Sequence, residues 1–537
     1  MRARLRFSLC WLAFCLGASS ALQSQEQDIN AKVAQITIGR SSLEDVIRVF
    51  GEPVSYLWGK QTFTRDKLPS VYIATYPNKF SVVMSNGIVI ELRFEGPGFL
   101  YLGKLQVGSS LQEIFDVVGP PSATVTGEPL PQQAKDGVLY ADIGGRMGYC
   151  YYPRRDLGVR FFLWESRVSA LYLTAKQGLG AVLTSLPSYN PDSPAPFQVD
   201  LRSADLSRLD LRARLNDLLY ADFDDKTIWP SSDKMPPEFD WRRVMELGRN
   251  PGLGIRSLHD RGLTGRGVAI ALIDNPLLVT HQEYADRLRF YQEINRAQNS
   301  SPNMHGSAVV SIAAGKTVGV APEADIYYMA AWVSDQQGAN FKYRAECVRR
   351  ILKINEQLPQ DKKIRVISMS VGWDPTQAGY EEMTVAANEA KAAGMLFVSS
   401  SIERVHGFRF QALGRFPLAD PDAFESYEPG LFWAKAFYAG NRFSDRLLAP
   451  MDSRTTASER GNGVYVFYRM GGWSWTIPYI AGVYALAVQA DPAITPERFW
   501  SLAMKTGRTI ELKYRDETIS FGPIIDPVAL IRELRPD

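Results

Sequence analysis

The order of apolar and polar residues predicts alternating strands and helices over the second half of the chain. Apolar runs at 267–274, 364–372 and 395–401 predict strands that are buried on both faces. Residues 342–358 and 380–394 precede the last two runs and carry apolar residues at helical spacing. This alternation predicts an α/β fold, a doubly wound and mainly parallel sheet with helices on both faces. Ligands of such sheets bind at the carboxyl ends of the strands.

The first part of the chain contains one pattern twice. Residues 36–53 and 105–121 share the spacing of their glycines, serines, apolar positions and a final Gly-x-Pro. In each copy a serine, Ser42 or Ser110, can cap a short helix, and alternating apolar and polar residues predict strands after it. We interpret this part as an internal duplication of a small α+β unit. The two predicted units are residues 28–103 and 104–177.

These two units weakly resemble small outer-membrane assembly lipoproteins and the β-lactamase-inhibitor protein, in which short helices ending in Leu-Gly-x-Pro precede a meander of strands. Neither unit holds a cluster of acids, histidines or cysteines that looks catalytic. We therefore interpret residues 28–177 as a binding or regulatory region for a protein or cell-envelope partner. A purely structural extension is the alternative.

The first residues have the composition of an export signal. Three arginines lie within the first six residues, an apolar run follows at 7–17, and small residues at 18–21 offer a cleavage site. The run is too short to span a membrane as a helix. We interpret residues 1–24 as a signal peptide, with an uncleaved anchor as the alternative. The protein is then expected to be exported, that is, secreted, periplasmic or associated with the cell envelope.

Between the predicted units and the α/β region lies a segment rich in proline, serine and aspartate, residues 178–245. Its residues 204–223 carry an amphipathic pattern that predicts a short helix. We interpret the segment as a linker that could wrap the following domain. The large α/β domain is then predicted over 246–537.

Composition excludes some classes of function. The formal net charge is only +2 over 537 residues, and no basic patch is interleaved with aromatic residues. We therefore expect no nucleic-acid partner. Four cysteines and four histidines show no zinc-like spacing, so no metal site and no cofactor are identified from the residues.

Three residues of the α/β region are candidates for chemistry. Asp274 ends the first predicted strand, His305 begins a helix rich in small residues, and Ser474 lies between two tryptophans ahead of a long apolar helix. A serine at such a position is either a nucleophile or a plain helix N-cap. Trp473 and Trp475 could narrow a substrate cleft or pack in the core.

Taken together, the segments resemble the subtilase family of serine peptidases. Matching stretches are GRGVAIALID, MHGSAVVSIAAG, GVAPEA, SMSVG and GGWSWTIPYIAG, in the family's order of Asp, His and Ser. The resemblance implies a subtilisin-type fold and a serine endopeptidase acting on proteins or peptides. It implies Asp274, His305 and Ser474 as the catalytic triad. It also implies Ser370, Val371 and Gly372 as substrate-binding residues.

The sequence departs from the family pattern at the oxyanion hole. Where subtilases have an asparagine, spacing places Glu403, whose ionised carboxylate cannot donate a hydrogen bond. Either Ser401 supplies the missing donor or the backbone N–H of Ser474 acts alone. Ser399, Ser400 and Ser401 could instead only cap the next turn. Subtilases often bind calcium, but no ligands for it can be placed in this sequence.

Two hypotheses from different classes follow. The first is an exported subtilisin-like serine endopeptidase with a duplicated binding region at its front. The second is a weakly active or inactive scaffold that keeps the subtilase fold as a protein-binding module. The missing asparagine favours the scaffold, and three matching triad residues favour the enzyme.

Overall fold

The protein is described by a computed structural model covering 29–535, without 40, 60, 70, 86, 119–122, 126–136, 142–146, 155–156, 165–166, 176–182, 184, 194–196, 296–301, 332–333 and 336–337. The predicted signal peptide at 1–24 lies outside the described residues. The chain divides into two compact units, with the boundary at 182/183. No helix within the described ranges is long and apolar enough to cross a membrane.

The first unit is built on one ten-stranded sheet in the order β2-β1-β3-β4-β5-β10-β9-β8-β7-β6. Its strands are β1 Ser55–Trp58, β2 Gln61–Phe63, β3 Val71–Tyr76, β4 Phe80–Ser85, β5 Ile88–Phe94, β6 Ala123–Val125, β7 Gly137–Ala141, β8 Met147–Arg154, β9 Leu157–Trp164 and β10 Arg167–Ala175. Neighbouring strands are antiparallel except β6 and β7, which are parallel. The residues of each predicted unit contribute five strands, and β5 pairs with β10 where the two halves meet.

One short helix precedes the strands of each half, α1 Leu43–Phe50 in the first and α2 Leu111–Val118 in the second. Ser42 caps α1 as the sequence predicts, since its hydroxyl accepts from the Asp45 N–H while the Asp45 carboxylate accepts from the Ser42 N–H. Ser110 makes the same reciprocal contacts with Glu113 at α2. Both helices therefore begin with a capping box, which satisfies backbone donors that a helix start leaves free.

The second unit contains four sheets, formed by strands β11 to β26. They are β11 Val199–Asp200, β12 Ala221–Asp224, β13 Ala269–Asp274, β14 Leu288–Ile294, β15 Asp325–Ala331, β16 Ser334–Asp335, β17 Gly338–Ala339, β18 Ile364–Met369, β19 Leu396–Ser399, β20 Phe410–Arg415, β21 Tyr427–Pro429, β22 Leu447–Pro450, β23 Arg454–Ala457, β24 Tyr465–Tyr468, β25 Arg508–Tyr514 and β26 Glu517–Ile524. Their orders are β11-β12-β24-β23, β14-β15-β13-β18-β19, β16-β17 and β21-β20-β22-β26-β25.

In the described part of the second unit, eleven α-helices connect or cover these strands. They are α3 Leu215–Leu219, α4 Trp241–Arg249, α5 Ile255–Asp260, α6 Met304–Ala314, α7 Lys342–Gln357, α8 Tyr380–Ala392, α9 Ile402–His406, α10 Ala434–Tyr438, α11 Trp473–Ala490, α12 Pro496–Thr506 and α13 Pro527–Leu534. The strands and helices that the sequence predicts between 267 and 401 occur here with nearly the same bounds.

The central sheet β14-β15-β13-β18-β19 is parallel throughout. All six residues of β13 are buried, so both faces of this strand are covered. Apolar residues of α7 and α8 form one core cluster with alternate residues of β13, including Ala271 and Ile273. The helix α11 packs against β18, β19 and α6. The predicted fold class, a mixed α/β domain with a parallel sheet, is confirmed.

Residues predicted as a linker pack as part of the second unit. Apolar residues from Leu186 to Phe239 share one buried cluster with Tyr465 and Phe467 of β24, and β12 pairs with β24. The helix predicted over 204–223 is confined to α3, and β12 follows it directly. The reason is local, because Asp205 and Asp210 each accept a hydrogen bond from the N–H two residues on, which stabilises turns instead of helix.

Candidate functional site

The carboxyl edge of the central sheet carries the first candidate residue, Asp274, which is the last residue of β13. Its side chain is only 6% exposed. The carboxylate oxygen Oδ1 accepts a hydrogen bond from the Asn275 N–H at 2.7 Å and lies 2.6 Å from Nδ1 of His305. A carboxylate can only accept, so the proton of this contact is assigned to Nδ1.

His305 is held in the first turn of α6, whose N-cap is Asn303. The side chain of Asn303 accepts from the His305 N–H at 2.8 Å, and its own N–H donates to the Pro276 carbonyl at 2.7 Å. The next residue, Gly306, packs so tightly that an added Cβ would lie 2.3 Å from the Asn275 carbonyl oxygen. This close approach brings the start of α6 against the end of β13.

The electrostatic environment of His305 favours its charged form. Burial lowers the pKa of the imidazole, but the charge of Asp274 and their hydrogen bond outweigh it, so the pKa is raised. The side chain of His305 remains 26% exposed. The imidazole is thus oriented and made more basic by Asp274 while it keeps access to solvent.

Ser474 lies in the first turn of α11, two residues after the N-cap Gly472. The N-cap of α11 is Gly472, so the interpretation of Ser474 as the N-cap of this helix is wrong. The hydroxyl donates to the Ser370 carbonyl at 3.4 Å, and the Ser370 hydroxyl donates to the Ser474 carbonyl at 3.0 Å. N–H groups in a first turn lack helical partners and attract negative charge.

The structure brings Asp274 and His305 into direct contact and sets Ser474 nearby. The ring of Trp475, the residue after Ser474, has its centroid 5.5 Å from that of the His305 imidazole. Among the hydrogen bonds of the described residues there is none between His305 and Ser474. Hydrogen bonds between a histidine and a serine in enzymes are often long without substrate and shorten when it binds.

The two tryptophans beside Ser474 have different environments. Trp475 is 2% exposed and packs in the core. Trp473 is only partly buried, and its indole N–H donates to the Gln411 side chain at 2.5 Å. Its ring centroid lies 5.8 Å from that of Phe432, which is 45% exposed. Only Trp473 is therefore placed where it can border an open cleft.

The residues 370–372 form a segment that leaves the carboxyl end of β18. Ser370 contacts Ser474 as described, and Val371 packs against the core cluster of α7 and α8. At Gly372 an added Cβ would lie 3.0 Å from the Ser401 hydroxyl oxygen and 3.1 Å from the Ser400 Cβ. This segment therefore lies between Ser474 and the serines that follow β19.

The hydroxyl of Ser401 is used by the backbone of Trp373. It accepts from the Trp373 N–H at 2.9 Å and donates to the Trp373 carbonyl at 3.1 Å, and the residue is 8% exposed. Its only proton is thus already donated, so this structure does not support Ser401 as an oxyanion donor. Ser401 is the N-cap residue of α9, but its side chain makes no capping hydrogen bond there.

The position occupied by asparagine in subtilases holds no substitute donor. Glu403 is 53% exposed and forms an ion pair with Arg409 at 2.7 Å. The hydroxyl of Ser399 accepts from the Ser401 N–H at 3.1 Å. The first-turn N–H of Ser474 is therefore the remaining candidate that the sequence analysis named.

Sequence reasoning missed one charged residue beside this site. Arg344 lies in the first turn of α7 and is 6% exposed. Its charge interacts with Asp274 and lowers the pKa of His305. The signal was present, since Arg344 shares helical spacing with the apolar Val348 and Ile351 and so falls on the buried face of the helix.

Part of the chain matches the model of a known protein family. Residues 265–404 match the model of the subtilase family, Peptidase_S8. The range includes Asp274 and His305 and ends before Ser474. Over these residues the chain is similar to the subtilase family, which supports a serine peptidase in general.

Similarity to individual proteins is more distant. The chain is 23% identical over 264 residues to the subtilisin-like protease PopC of Myxococcus xanthus, a match covering 45% of this chain and 56% of PopC. It is 32% identical over 96 residues to a fibrillarin-like rRNA/tRNA 2'-O-methyltransferase of Staphylothermus marinus, covering 18% of this chain and 37% of that protein. The chain thus spans about half the length, or less, of these curated relatives.

A solved structure that is similar is the prenylagaramide maturation protease PagA. The identity is 15% and the TM-score 0.37, with 52% of this chain and 98% of PagA covered.

No group of three or more His, Cys, Asp or Glu side chains among the described residues could hold a metal ion. The calcium that the family resemblance implies stays an expectation.

Proposed function

We propose that this protein is an exported serine endopeptidase of the subtilase type. The observation that carries the proposal is the contact of 2.6 Å between His305 and Asp274 at the same sheet edge as Ser474. The subtilase-family match over 265–404 and the similarity to a subtilisin-like protease support a serine peptidase in general.

In this mechanism Ser474 is the nucleophile and His305 the general base. Nε2 of the imidazole accepts the hydroxyl proton as Ser474 Oγ attacks the peptide carbonyl, and the proton then passes to the leaving amine. Asp274 keeps the imidazole in the tautomer with the proton on Nδ1 and stabilises the cation that forms. Water repeats the same steps to release the acyl group from Ser474.

The oxyanion is proposed to be stabilised by the Ser474 N–H at the start of α11. The helix dipole adds a favourable potential there. Without a side-chain donor the rate is expected to be lower by a factor of about 10²–10³. We therefore expect slow turnover compared with an enzyme that has such a donor.

The first unit is proposed to bind a protein or cell-envelope partner. The exposed large apolar side chains of this unit include Trp58 at 48% and Val54 at 73%. Both lie at or next to β1, close to the edge of the sheet. Exposed apolar groups of this kind are typical of interaction surfaces.

A reactive fluorophosphonate, which modifies only an activated serine, tests the enzyme. Wild-type protein should be labelled and should cleave peptide substrates, and Ser474→Ala should lose both. Ser501→Ala, a change of an exposed serine on α12, is the matched control and should behave as wild type. Labelling that persists in Ser474→Ala would contradict the proposal.

The second candidate is a protein-binding scaffold with little or no activity. The observation in its favour is that Ser401 and Glu403 are both engaged elsewhere, which leaves the oxyanion hole without a side-chain donor. The same labelling experiment distinguishes the two functions, since a scaffold would not react with the probe under any condition.

A further inference from the structure

A buried cation in the second unit makes no hydrogen bond or ion pair with any of the described residues. Arg344 is 6% exposed, and its Nε and Nη1 atoms have no hydrogen-bond partner among the described residues. The guanidinium carbon lies 5.7 Å from the centroid of the Phe341 ring. A buried charge left unpaired in this way is strongly unfavourable, so the arrangement calls for a function that offsets the cost.

The place of Arg344 in the fold connects it to the site. The helix α7 packs on β13 and β15, and Asp274 at the end of β13 is in register with Ala330 of β15. Phe341 and Ala345 share a core cluster with Val371, the residue after Ser370. Arg344 thus lies on a helix that packs beside the strand of Asp274, and its charge acts on both Asp274 and His305.

The Asp274 carboxylate acts on this cation through its charge but makes no hydrogen bond to it. Its Oδ1 atom is used by His305 and by the Asn275 N–H. A guanidinium presents several N–H donors in one plane and binds carboxylates with two parallel hydrogen bonds. The missing partner is therefore best supplied from outside, by an acidic group of the bound chain.

We propose that Arg344 is a specificity-determining residue that binds the side-chain carboxylate of an aspartate or glutamate in the substrate. This inference rests on the proposed peptidase function of the same site. A peptide that brings a carboxylate pairs the guanidinium, whereas a neutral residue leaves it buried and unpaired. A lysine or arginine at that position would be repelled.

The test uses the full-length protein and peptides with both ends blocked. The peptides differ only in one residue, Glu or Gln, placed in turn at each position around the cleaved bond. For wild type we expect kcat/KM to be about 10- to 100-fold higher with Glu than with Gln at one position, the range that a charge-assisted hydrogen bond gives. Equal rates at every position would overturn the proposal.

Variants then assign the preference to this residue. In Arg344→Met the ratio of kcat/KM for the Glu peptide to that for the Gln peptide should fall to about one. In Arg344→Lys the ratio should be intermediate, because lysine keeps the positive charge but lacks the planar guanidinium that forms two parallel hydrogen bonds. Arg349→Met removes an exposed arginine of the same helix and should keep the wild-type ratio. Fluorophosphonate labelling of Arg344→Met shows that the variant is folded, and a ratio unchanged in that labelled variant would overturn the proposal.

A binding measurement separates this inference from the proposed function. The Ser474→Ala protein should bind the Glu peptide more tightly than the Gln peptide in calorimetry, and the additional change Arg344→Met should remove the difference. If the wild type cleaves no peptide but this difference is found, the peptidase proposal fails and the binding inference stands. If peptides are cleaved without any preference for Glu, the peptidase proposal stands and the inference fails.

Discussion

Nδ1 of His305 lies 2.6 Å from Oδ1 of Asp274, which leaves Nε2 as the nitrogen that can accept a proton from Ser474. The neighbouring backbone supports this arrangement. The Asn275 N–H holds the same carboxylate oxygen, and Asn303 caps the helix that carries His305. The imidazole is therefore fixed from both sides before any substrate binds.

The first prediction concerns the pH dependence of peptide cleavage. His305 must be neutral to act as a base, and its pKa is raised because the charge of Asp274 outweighs the effect of burial. The kcat/KM of the wild type should therefore increase with pH through a midpoint above about 6.5, the ordinary histidine value. A pH profile with one peptide substrate measures this midpoint.

Asp274→Asn is the comparison for that profile. The amide removes the negative charge, so the midpoint should move below that of the wild type. The kcat should also fall by about 10⁴, because the imidazole loses the partner that fixes its tautomer. An identical midpoint in both proteins would show that Asp274 does not control the basicity of His305.

The second prediction uses Arg344 as an electrostatic probe of the same pair. Its positive charge lowers the pKa of His305, so Arg344→Met should move the midpoint of kcat/KM to higher pH. Arg349→Met, on the exposed side of α7, should leave it unchanged because exposed charges are well screened. If the midpoint shifted equally in both variants, it would depend on the net charge of the protein and not on the position of Arg344 near His305.

The parts of the fold and of the candidate site that could be predicted are those that the pattern of neighbouring residues in the sequence determines. Asp274 and His305 lie at a strand end and a helix start, and apolar periodicity locates both kinds of boundary. Their contact across 31 positions follows only from the fold, through the tight packing of Gly306. Arg344 could have been noticed on the apolar face of α7, but periodicity does not show whether a buried charge has a partner.

The role of Ser401 could not be predicted for a different reason. Spacing places it near the expected oxyanion donor, but the direction of a short side chain depends on a segment 28 residues earlier, at Trp373. For a similar reason, the sequence could not predict that the linker segment packs as part of the second unit. Its aspartates form turns locally, while its apolar residues pack on β24, more than 200 residues later.

The third prediction concerns Ser401→Ala. The change removes two hydrogen bonds to the backbone of Trp373, which should lower the free energy of unfolding by about 1–3 kcal/mol. The kcat should fall less than tenfold, because the hydroxyl is not the oxyanion donor. Urea unfolding and steady-state kinetics measure the two quantities. A fall in kcat of about 10²–10³ with unchanged stability would restore the oxyanion role.

The fourth prediction links packing to activity at Gly306. In Gly306→Ala the new Cβ would lie 2.3 Å from the Asn275 carbonyl oxygen and 2.6 Å from the Tyr328 hydroxyl. The start of α6 must move away from β13, which should cost about 1–3 kcal/mol of stability and lower kcat by loosening the Asp274–His305 contact.

Gly463→Ala is the matched control for that change. Its Cβ would meet only the end of the Gln282 side chain, at 3.3 Å. Stability and kcat should therefore stay close to the wild-type values in the control. If Gly306→Ala lost stability but kept its kcat, the position of α6 would not determine the geometry of the site.

The fifth prediction concerns where the peptidase unit begins. A protein starting at residue 183 keeps the segment that packs on β24, in which Phe223 lies 5.2 Å from Phe467 between ring centroids. It should unfold cooperatively and react with the fluorophosphonate.

A protein starting at residue 246 would expose Tyr465 and Phe467 and would lose the strand β12 that pairs with β24. It should be unstable or aggregate, because a buried apolar cluster then faces water. Thermal unfolding and labelling of the two proteins measure the difference. Equal stability and labelling would mean that residues 183–245 are only a linker, as the sequence first suggested.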